Sequence, residues 1–435
     1  MNPIRVVSSM PGSGKTTWVF QHIRERGDER WIFIAPYLKE SGGWDSEKEI
    51  QHKGRIKEEL PEMNFKNPSP SKTSGKKEDF KKLLNNGENI SATHQLWTVL
   101  DSGCAELISF MGYNIVIDES LDLIQTYEEV DQMDLRLAIQ GGMIKPSNGT
   151  SQLEWNYDKF SGNYSGAFKE IKHLCDIGAL FLYGDEVVIH KVPPQLIMSA
   201  QQVIVLTYGF PFTTMGAWCE MDGIDYYIDD SVELYKSNEQ IREELKERLN
   251  VIDIPRTMVD VYEKYSSPMF TKGWYEKYFD QEKDVIKRAI NNVVKKKMDN
   301  GNIFWTTFKD YKTQLQGRRY TNSKMITLDG ETWRREPFIA KNMRASNEYR
   351  DCTNCIYLVD VRMNPYIKNY MIKHGAVSLD EDKYALLEML QFIFRGCVRN
   401  QSDDEHYSNH MNVFVGSVRM QILLKKWLSG ELIIH

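Results

Sequence analysis

Glycine, lysine and hydroxyl side chains are closely spaced in the segment IRVVSSMPGSGKTTWVF, residues 4–20. Gly12 and Gly14 would let the backbone turn sharply, so that consecutive N–H groups could surround a phosphate at the start of a helix. Lys15 would reach the β- and γ-phosphates of a nucleotide, and the hydroxyl of Thr16 would bind Mg²⁺. The segment therefore predicts a site for ATP with Mg²⁺.

Ser9 stands where the usual phosphate-loop pattern begins with glycine. A small residue still permits a tight exit from a strand, although it lacks the freedom of glycine at positive φ. The alternative is a chance match. It is weakened by the context, because the loop lies between an apolar run and a helical pattern. The predicted nucleotide-binding residues are Gly12, Ser13, Gly14, Lys15, Thr16 and Thr17.

A pair of acids ends the apolar run GYNIVIDES, residues 112–120. Hydrolysis of a nucleotide needs an acid on the metal and a group that orients the attacking water. Asp118, with Thr16, is the predicted Mg²⁺ ligand, and Glu119 is the predicted catalytic base. The alternative is an acidic pair at a strand end that has no role in chemistry.

Short runs rich in valine and isoleucine must position these residues. In the first half they cover 4–9, 31–36, 112–120 and 201–210. Such runs, without polar alternation and with helical patterns between them, are typical of a parallel sheet covered on both faces. We predict a doubly wound α/β domain with an insertion at about 125–200, where the strand–helix rhythm stops. The polar stretch 40–90 is interpreted as a solvated loop.

A second set of strand-like runs predicts a second α/β domain of similar size. The runs cover 302–308, 323–328, 355–361 and 411–417, and a helix is predicted at 383–400. The charged helical stretch 231–250 is the expected interdomain region. The predicted boundaries are residues 1–232 for the first domain, 233–250 for the connection and 251–435 for the second domain.

Three polar side chains recur at intervals of four in the predicted helix 383–400, namely Gln391, Arg395 and Arg399. This spacing keeps them near one helix face. Arginines that project onto a γ-phosphate stabilise the charge of the transition state, so these residues are predicted to take part in catalysis. A basic face on a surface helix is the alternative.

Composition excludes some classes of protein. The chain has 435 residues, of which 41% are hydrophobic and 27% charged, and no apolar run is long enough to cross a membrane. The start lacks a secretory pattern, and six scattered cysteines are typical of a reducing compartment, so a cytoplasmic location is expected. The net charge of −6 gives no support to nucleic-acid binding. Cys352 and Cys355 lack the further ligands of a zinc site.

In their order along the chain, several blocks resemble superfamily 2 helicases of the DEAD-like class, most of all phage-type DNA helicases. The matching blocks are SSMPGSGKTT, FIAPYLKE, ISATHQLW, IVIDES, VIVLTYGF, NIFWTTFKDYK, KNMRASNEYRD and MLQFIFRGCVRN. The resemblance implies two tandem RecA-like domains. It also implies that Gln391, Arg395 and Arg399 form the sensing and finger motif, with Arg399 preferred as the main finger. The implied contacts to the tracked strand are Pro36, Tyr37, Thr93, His94, Thr306, Thr307, Arg344 and Asn347.

Some positions depart from the helicase pattern. Leu206, Thr207 and Tyr208 stand where many relatives have a Ser-Ala-Thr coupling motif, so coupling is expected to differ. Almost no chain precedes the first strand, so the glutamine-based element that reads adenine in DEAD-box RNA helicases is not expected.

The predicted function is an ATP-dependent translocase or helicase, with two domains that close and open on single-stranded or forked DNA. RNA is left open as the substrate, the host cytoplasm is expected if the protein is viral, and protein partners are unknown. One alternative is a packaging ATPase with a C-terminal nuclease domain, for which Asp360 would be one metal-binding acid. Another is a nucleotide-gated binding protein that does not unwind.

Overall fold

The structure is a computed structural model that describes residues 2–45, 50–70, 75–128, 132–147, 149–160, 163–184, 187–299, 301–328, 331–341, 347–400 and 409–434. The chain divides into two compact units. The first comprises Met1–Ser8, Lys15–Glu233 and Asn364–Leu379. The second comprises Ser9–Gly14, Leu234–Met363 and Asp380–His435.

Strands in the described residues occur throughout the chain. Their bounds are β1 (Ile4–Ser8), β2 (Arg30–Ala35), β3 (Gly43–Asp45), β4 (Ile50–His52), β5 (Ile90–Thr93), β6 (Tyr113–Asp118), β7 (Ile124–Thr126), β8 (Ile144–Pro146), β9 (Leu153–Trp155), β10 (Leu180–Tyr183), β11 (Val187–Lys191), β12 (Val203–Thr207), β13 (Tyr226–Ile228), β14 (Leu249–Ile252), β15 (Asn302–Thr306), β16 (Lys324–Leu328), β17 (Glu331–Arg335), β18 (Cys352–Tyr357) and β19 (Met411–Val415).

Helices lie between most of these strands. Their bounds are α1 (Lys15–Arg24), α2 (Leu38–Ser41), α3 (Arg55–Glu59), α4 (Lys76–Asn85), α5 (His94–Trp97), α6 (Ser102–Met111), α7 (Gln132–Gln140), α8 (Lys169–Asp176), α9 (Gln195–Met198), α10 (Thr214–Met221), α11 (Asn238–Arg248), α12 (Arg256–Tyr265), α13 (Lys272–Lys297), α14 (Pro365–Lys373), α15 (Glu381–Ile393) and α16 (Val418–Ser429). No helix of the described residues is long and apolar enough to cross a membrane.

A six-stranded parallel sheet forms the centre of the first unit, in the order β13-β1-β12-β6-β2-β5. The side chains of β6 up to Ile117 and all those of β12 are buried, as both faces of a parallel sheet require. Because parallel strands run in one direction, the loops that follow β1, β2, β5, β6 and β12 all leave the same edge. Ligands of such sheets bind at this carboxyl edge.

The predicted insertion is confirmed as a separate small layer between β6 and β12. The antiparallel strands β10, β11 and β7 form a three-stranded sheet, and β8 pairs with β9. A hydrophobic cluster of its own, which includes Leu135, Trp155, Ile171 and Leu180, lies between these strands and the helices α7 and α8. Antiparallel pairing explains why the sequence here lacks the rhythm of alternating buried strands and helices.

A four-stranded parallel sheet, β14-β19-β18-β15, forms the second unit and confirms its α/β class. The long helix α13 buries one face, including Trp274, Tyr275 and Phe279, in the core of this unit. The predicted strand at 323–328 is present as β16. It pairs with β17 in an antiparallel hairpin outside the parallel sheet.

Two sequence-based interpretations are wrong. The stretch 40–90 is not a simple solvated loop, because it contains a β3–β4 hairpin and helix α4, whose Phe80 and Leu84 are buried. The predicted helix 383–400 ends at Ile393. Gly396, shortly after this end, is in extended backbone, and glycine is a poor helix former. A Cβ at this position would lie 2.5 Å from Met411 Sδ and 2.9 Å from Phe304 Cε1, so the packing here requires glycine.

Candidate nucleotide site

The predicted phosphate loop has the backbone that its glycines require. Gly12 and Gly14 have φ values of +84° and +97°, in the region that residues with a Cβ rarely adopt. The side chain of Ser13 is fully buried, and its Oγ has no hydrogen-bond partner within the described part of the chain. Helix α1 begins immediately after the loop, so Lys15, Thr16 and Thr17 form its first turn. Their order along the chain is that of a phosphate loop.

Side chains from a distant part of the sequence hold this loop. Asn238 Oδ1 accepts a hydrogen bond from the Met10 N–H at 2.9 Å and another from Ser9 Oγ at 3.1 Å. The ring of Tyr235 lies so close to Gly14 that any Cβ there would clash with it. Sequence analysis missed Asn238 and Tyr235, because no local pattern signals a contact over more than 200 positions.

The acidic pair lies where it was predicted, at the carboxyl end of β6. Asp118 is the last residue of the strand. Glu119 follows with φ of +64°, a left-handed conformation that costs about 1–2 kcal/mol for a residue with a Cβ. Its N–H donates to the Leu206 carbonyl of β12 at 2.9 Å, which fixes the strained turn. Strain of this kind is concentrated at functional sites.

A third carboxylate, which sequence analysis missed, belongs to this cluster. Glu40 lies on α2, which follows β2, and burial together with the charges of Asp118 and Glu119 raises its pKa to about 7. Glu40 Oε2 and Glu119 Oε2 are both buried, and neither has a hydrogen-bond partner among residues that the structure describes. Orphaned carboxylate oxygens of this kind suit a hard cation such as Mg²⁺. The oxygen donors of Thr16 and Asp118 are of the same type, so the residues present fit the predicted metal.

His94 connects a predicted strand-binding segment to the acidic pair. Its Nε2–H donates to the backbone carbonyl of Asp118 at 2.9 Å. Because a carbonyl only accepts, this bond fixes the proton on Nε2. Thr93 ends β5 and caps α5 through a hydrogen bond that its hydroxyl accepts from the Leu96 N–H at 3.4 Å. Pro36 and Tyr37 follow β2 at the same edge of the sheet.

Gln391, Arg395 and Arg399 do not lie on one helix, so the predicted shared face is wrong. Gln391 is on α15, whereas Arg395 lies in the turn that follows it and Arg399 ends a short 3-10 helix, Cys397–Arg399. The side chain of Arg395 is 3% exposed and covers the ring of Phe392 at 5.0 Å. Arg399 is half-buried. The three residues remain close in sequence, but helical periodicity does not relate them.

The remaining residues that were predicted to contact a nucleic-acid strand are in the second unit. Thr306 and Thr307 are buried, and the Thr307 hydroxyl forms a hydrogen bond with Tyr275 Oη at 2.7 Å. In this conformation neither hydroxyl is exposed to a nucleic-acid strand. Arg344 lies outside the described residues, and Asn347 begins a short 3-10 helix.

Comparisons with known proteins identify relatives along nearly the whole chain. Residues 243–428 match the family described as the YonV C-terminal Rossmann-like domain, and residues 124–190 match the YonV middle domain. The chain is 29% identical over 454 residues to the SPbeta prophage-derived uncharacterized protein YonV of Bacillus subtilis strain 168, covering 99% of this chain and 100% of that protein.

Two solved structures that match this chain carry XPD in their titles. The structure titled XPD_APO matches with a TM-score of 0.50 and 13% identity, over 97% of this chain and 95% of that chain. The structure titled Xpd4 of S. tokodaii has a TM-score of 0.41 and 10% identity, over 99% and 95% of the two chains. The first of these supports the fold that the resemblance implied. The chain has two tandem RecA-like α/β domains, with an insertion in the first.

Proposed function

We propose that this protein is an ATP-dependent translocase or helicase that acts on nucleic acid, with DNA favoured over RNA. The observation that carries the proposal is the end of β6, where Asp118 is followed by Glu119 in a strained left-handed turn. The phosphate-loop backbone of Gly12 and Gly14 supports it. A fold shared with superfamily 2 helicases does not by itself determine function, so the argument depends on these residues.

In the proposed mechanism, the phosphate loop, the start of α1 and the acidic pair bind and orient ATP. The loop N–H groups and Lys15 would hold the phosphates, and Thr16 and Asp118 would hold Mg²⁺, which neutralises phosphate charge when bound. Glu119 would orient the attacking water and accept its proton. The hydrogen bond from its N–H to the Leu206 carbonyl keeps Glu119 in the left-handed turn.

The finger motif is proposed to act from the second domain. Gln391, Arg395 and Arg399 would sense the γ-phosphate, and Arg399 is preferred as the main finger because it is the more accessible of the two arginines. A positive charge placed there stabilises the transition state of phosphoryl transfer. ATP binding and hydrolysis would then close and open the two domains on one strand.

Contacts to the nucleic-acid strand are proposed at the carboxyl edge of the first sheet. Pro36, Tyr37, Thr93 and His94 lie at this edge. The hydrogen bond from His94 to Asp118 gives a direct route from a bound strand to the acidic pair. A role in phage replication, recombination or repair, in the cytoplasm of a bacterial host, is supported by the prophage origin of the relative from Bacillus subtilis.

The packaging alternative is not favoured, because the acid on which it depended is already bonded. Asp360 is 1% exposed. Its carboxylate accepts hydrogen bonds from Ser417 Oγ at 2.8 Å, Arg419 Nη1 at 2.8 Å and Arg362 Nε at 3.1 Å. A carboxylate held by two arginines and a hydroxyl is structural in this fold, and its charge is balanced without a metal.

Strand displacement tests the proposal against a nucleotide-gated binding protein. A forked DNA duplex with a fluorophore and quencher on opposite strands would be incubated with ATP and the wild type or Lys15→Ala. Release of one strand by the wild type and not by Lys15→Ala is expected. Nucleotide-dependent binding of the fork without release would support the gated binding protein instead.

A further inference from the structure

A basic pocket in the second unit lies at the opposite end of β15 from the predicted nucleic-acid contacts. Its volume is about 300 Å³, and it is lined by Asn302 and Ile303 at the amino end of the strand. Thr306 and Thr307 are at and just beyond the carboxyl end. The pocket is therefore a separate feature from every site residue that the sequence predicted in this unit.

Positive side chains from three elements line this pocket. They come from the last turn of α13, from the turn at 318–320 before β16 and from the β16–β17 hairpin, and they are Lys295, Arg318, Arg319, Lys324 and Arg335. Arg335 is neutralised by an ion pair with Asp351, and Lys324 donates to Asn302 Oδ1 at 3.0 Å. The side chains of Lys295, Arg318 and Arg319 form no ion pair or hydrogen bond with other described residues.

The lining contains one acid, Asp299, which offsets part of this positive charge, because its hydrogen-bond donors are neutral groups. Asp299 Oδ1 accepts hydrogen bonds from the Gly301 N–H at 2.7 Å, Thr353 Oγ1 at 2.8 Å and Asn354 Nδ2 at 2.6 Å. Lys295, Arg318 and Arg319 outnumber this acid, so the pocket stays positively charged and their donors are available to a ligand. Arginine and lysine arranged in this way bind phosphate oxygens.

The size and the other walls of the pocket indicate a ligand larger than a phosphate ion. Val294, Met298, Ile303 and Pro337 add apolar surface beside the cations. A volume of about 300 Å³ is at the lower limit for ligand pockets and exceeds what a single phosphate fills. A phosphate with an attached sugar and base fits both the polar and the apolar walls.

We propose that this pocket binds one nucleotide residue of a nucleic-acid strand, with Arg318, Arg319 and Lys295 on its phosphate. The surrounding sequence favours a polyanion over a free nucleotide. Residues 309–341 contain eight lysines and arginines against four acids, in a chain whose net charge is −6. The inference rests on the proposed function, because the strand is the one on which the enzyme would act.

The test is the salt dependence of binding to a fluorescent single-stranded oligonucleotide, measured by anisotropy without ATP. The variant is Arg318→Gln with Arg319→Gln, since both side chains are exposed and neither bonds another described residue. The matched control is Lys272→Gln with Lys277→Gln, which removes two exposed charges from α13. Lys277 lies about 27 Å from Lys295 along that helix.

We expect the arginine variant to bind about tenfold more weakly than the control pair. The slope of log affinity against log salt should be smaller by about 0.7 for each phosphate that the variant no longer neutralises. The same affinity and slope in both variants would overturn the inference while leaving the proposed function intact. No binding by the wild type would overturn the proposed function itself. Displacement of the oligonucleotide from the wild type by equimolar deoxyadenosine monophosphate would assign the pocket to a free nucleotide. This result would contradict the proposal that the pocket binds a nucleic-acid strand.

Discussion

Asn238 holds the phosphate loop by two hydrogen bonds to one oxygen, at 2.9 Å from the Met10 nitrogen and 3.1 Å from Ser9 Oγ. The residue that replaces the usual first glycine is thus used as a donor. The serine compensates for the absent glycine by fixing the start of the loop to α11. A loop held in its binding conformation loses less entropy when a phosphate binds.

Replacing Asn238 by alanine should weaken nucleotide binding about tenfold, because each hydrogen bond that is removed contributes about 0.5–1.5 kcal/mol. Titration with a fluorescent ATP analogue would measure the affinity. The matched control is Asn250→Ala, which removes an amide that bonds Asn412 at 2.8 Å. Equal affinities for Asn238→Ala and the control would show that the loop needs no such support.

Replacing Glu119 should separate catalysis from backbone strain. Glu119→Gln keeps the left-handed turn and should lower kcat by about a hundredfold or more while ATP still binds. Glu119→Gly should be as inactive, yet more stable by about 1 kcal/mol, because glycine adopts φ of +64° without strain.

Steady-state hydrolysis and thermal unfolding would be measured on both Glu119 variants, with the exposed Glu106→Gln as the control. If Glu119→Gly is no more stable than Glu119→Gln, the claim that the backbone at Glu119 is strained would be contradicted. A glutamine variant with unchanged kcat would contradict the role of the base.

The raised pKa of Glu40 predicts that the free energy of unfolding decreases as pH rises, when nucleotide and Mg²⁺ are absent. Its pKa is about 7 in the folded chain and 4.5 in its ordinary state, so the folded state retains a proton that the unfolded state has released. Stability is therefore lost as pH rises through the folded pKa, by about 1 kcal/mol between pH 6 and pH 8. Urea unfolding at both pH values should show this loss in the wild type and a smaller loss in Glu40→Gln. The same loss in both proteins would contradict the burial of this carboxyl.

The hydrogen bond from His94 to the Asp118 carbonyl predicts that replacing His94 will weaken the coupling between DNA binding and ATP hydrolysis. His94→Ala should retain hydrolysis without DNA but lose most of its stimulation by DNA, because the β5–α5 segment no longer restrains the end of β6. The control is His173→Ala, which removes a similar 2.9 Å bond to the Val99 carbonyl. Stimulation ratios measured with saturating oligonucleotide would decide. Equal ratios in the two variants would mean that His94 does not couple the sites.

Features with local signals could be predicted from the sequence. The strand–loop–helix at residues 4–24 and the acidic end of β6 are set by neighbours within a few positions, and their elements are where the pattern indicated. The arrangement around them could not be predicted. Asn238 reaches Met10 across 228 positions, and no periodicity reports such a contact.

The errors in the second half also have physical causes. Helical spacing in the sequence continues through Arg395, but α15 ends at Ile393, shortly before the poor helix former Gly396. The first two residues of β14, Leu249 and Asn250, fall within the predicted helical connection, because so short a strand after a charged helix carries too little pattern. Thr306 was expected to contact a nucleic-acid strand as a motif residue, whereas the fold buries it fully.

The most direct test of the central claim is ATP hydrolysis with and without single-stranded DNA, on the wild type, Arg399→Ala and the exposed control Arg288→Ala. The proposed function predicts strong stimulation by DNA in the wild type and the control, and its loss in Arg399→Ala while nucleotide still binds. Hydrolysis that is indifferent both to DNA and to Arg399 would contradict a two-domain motor driven by this site.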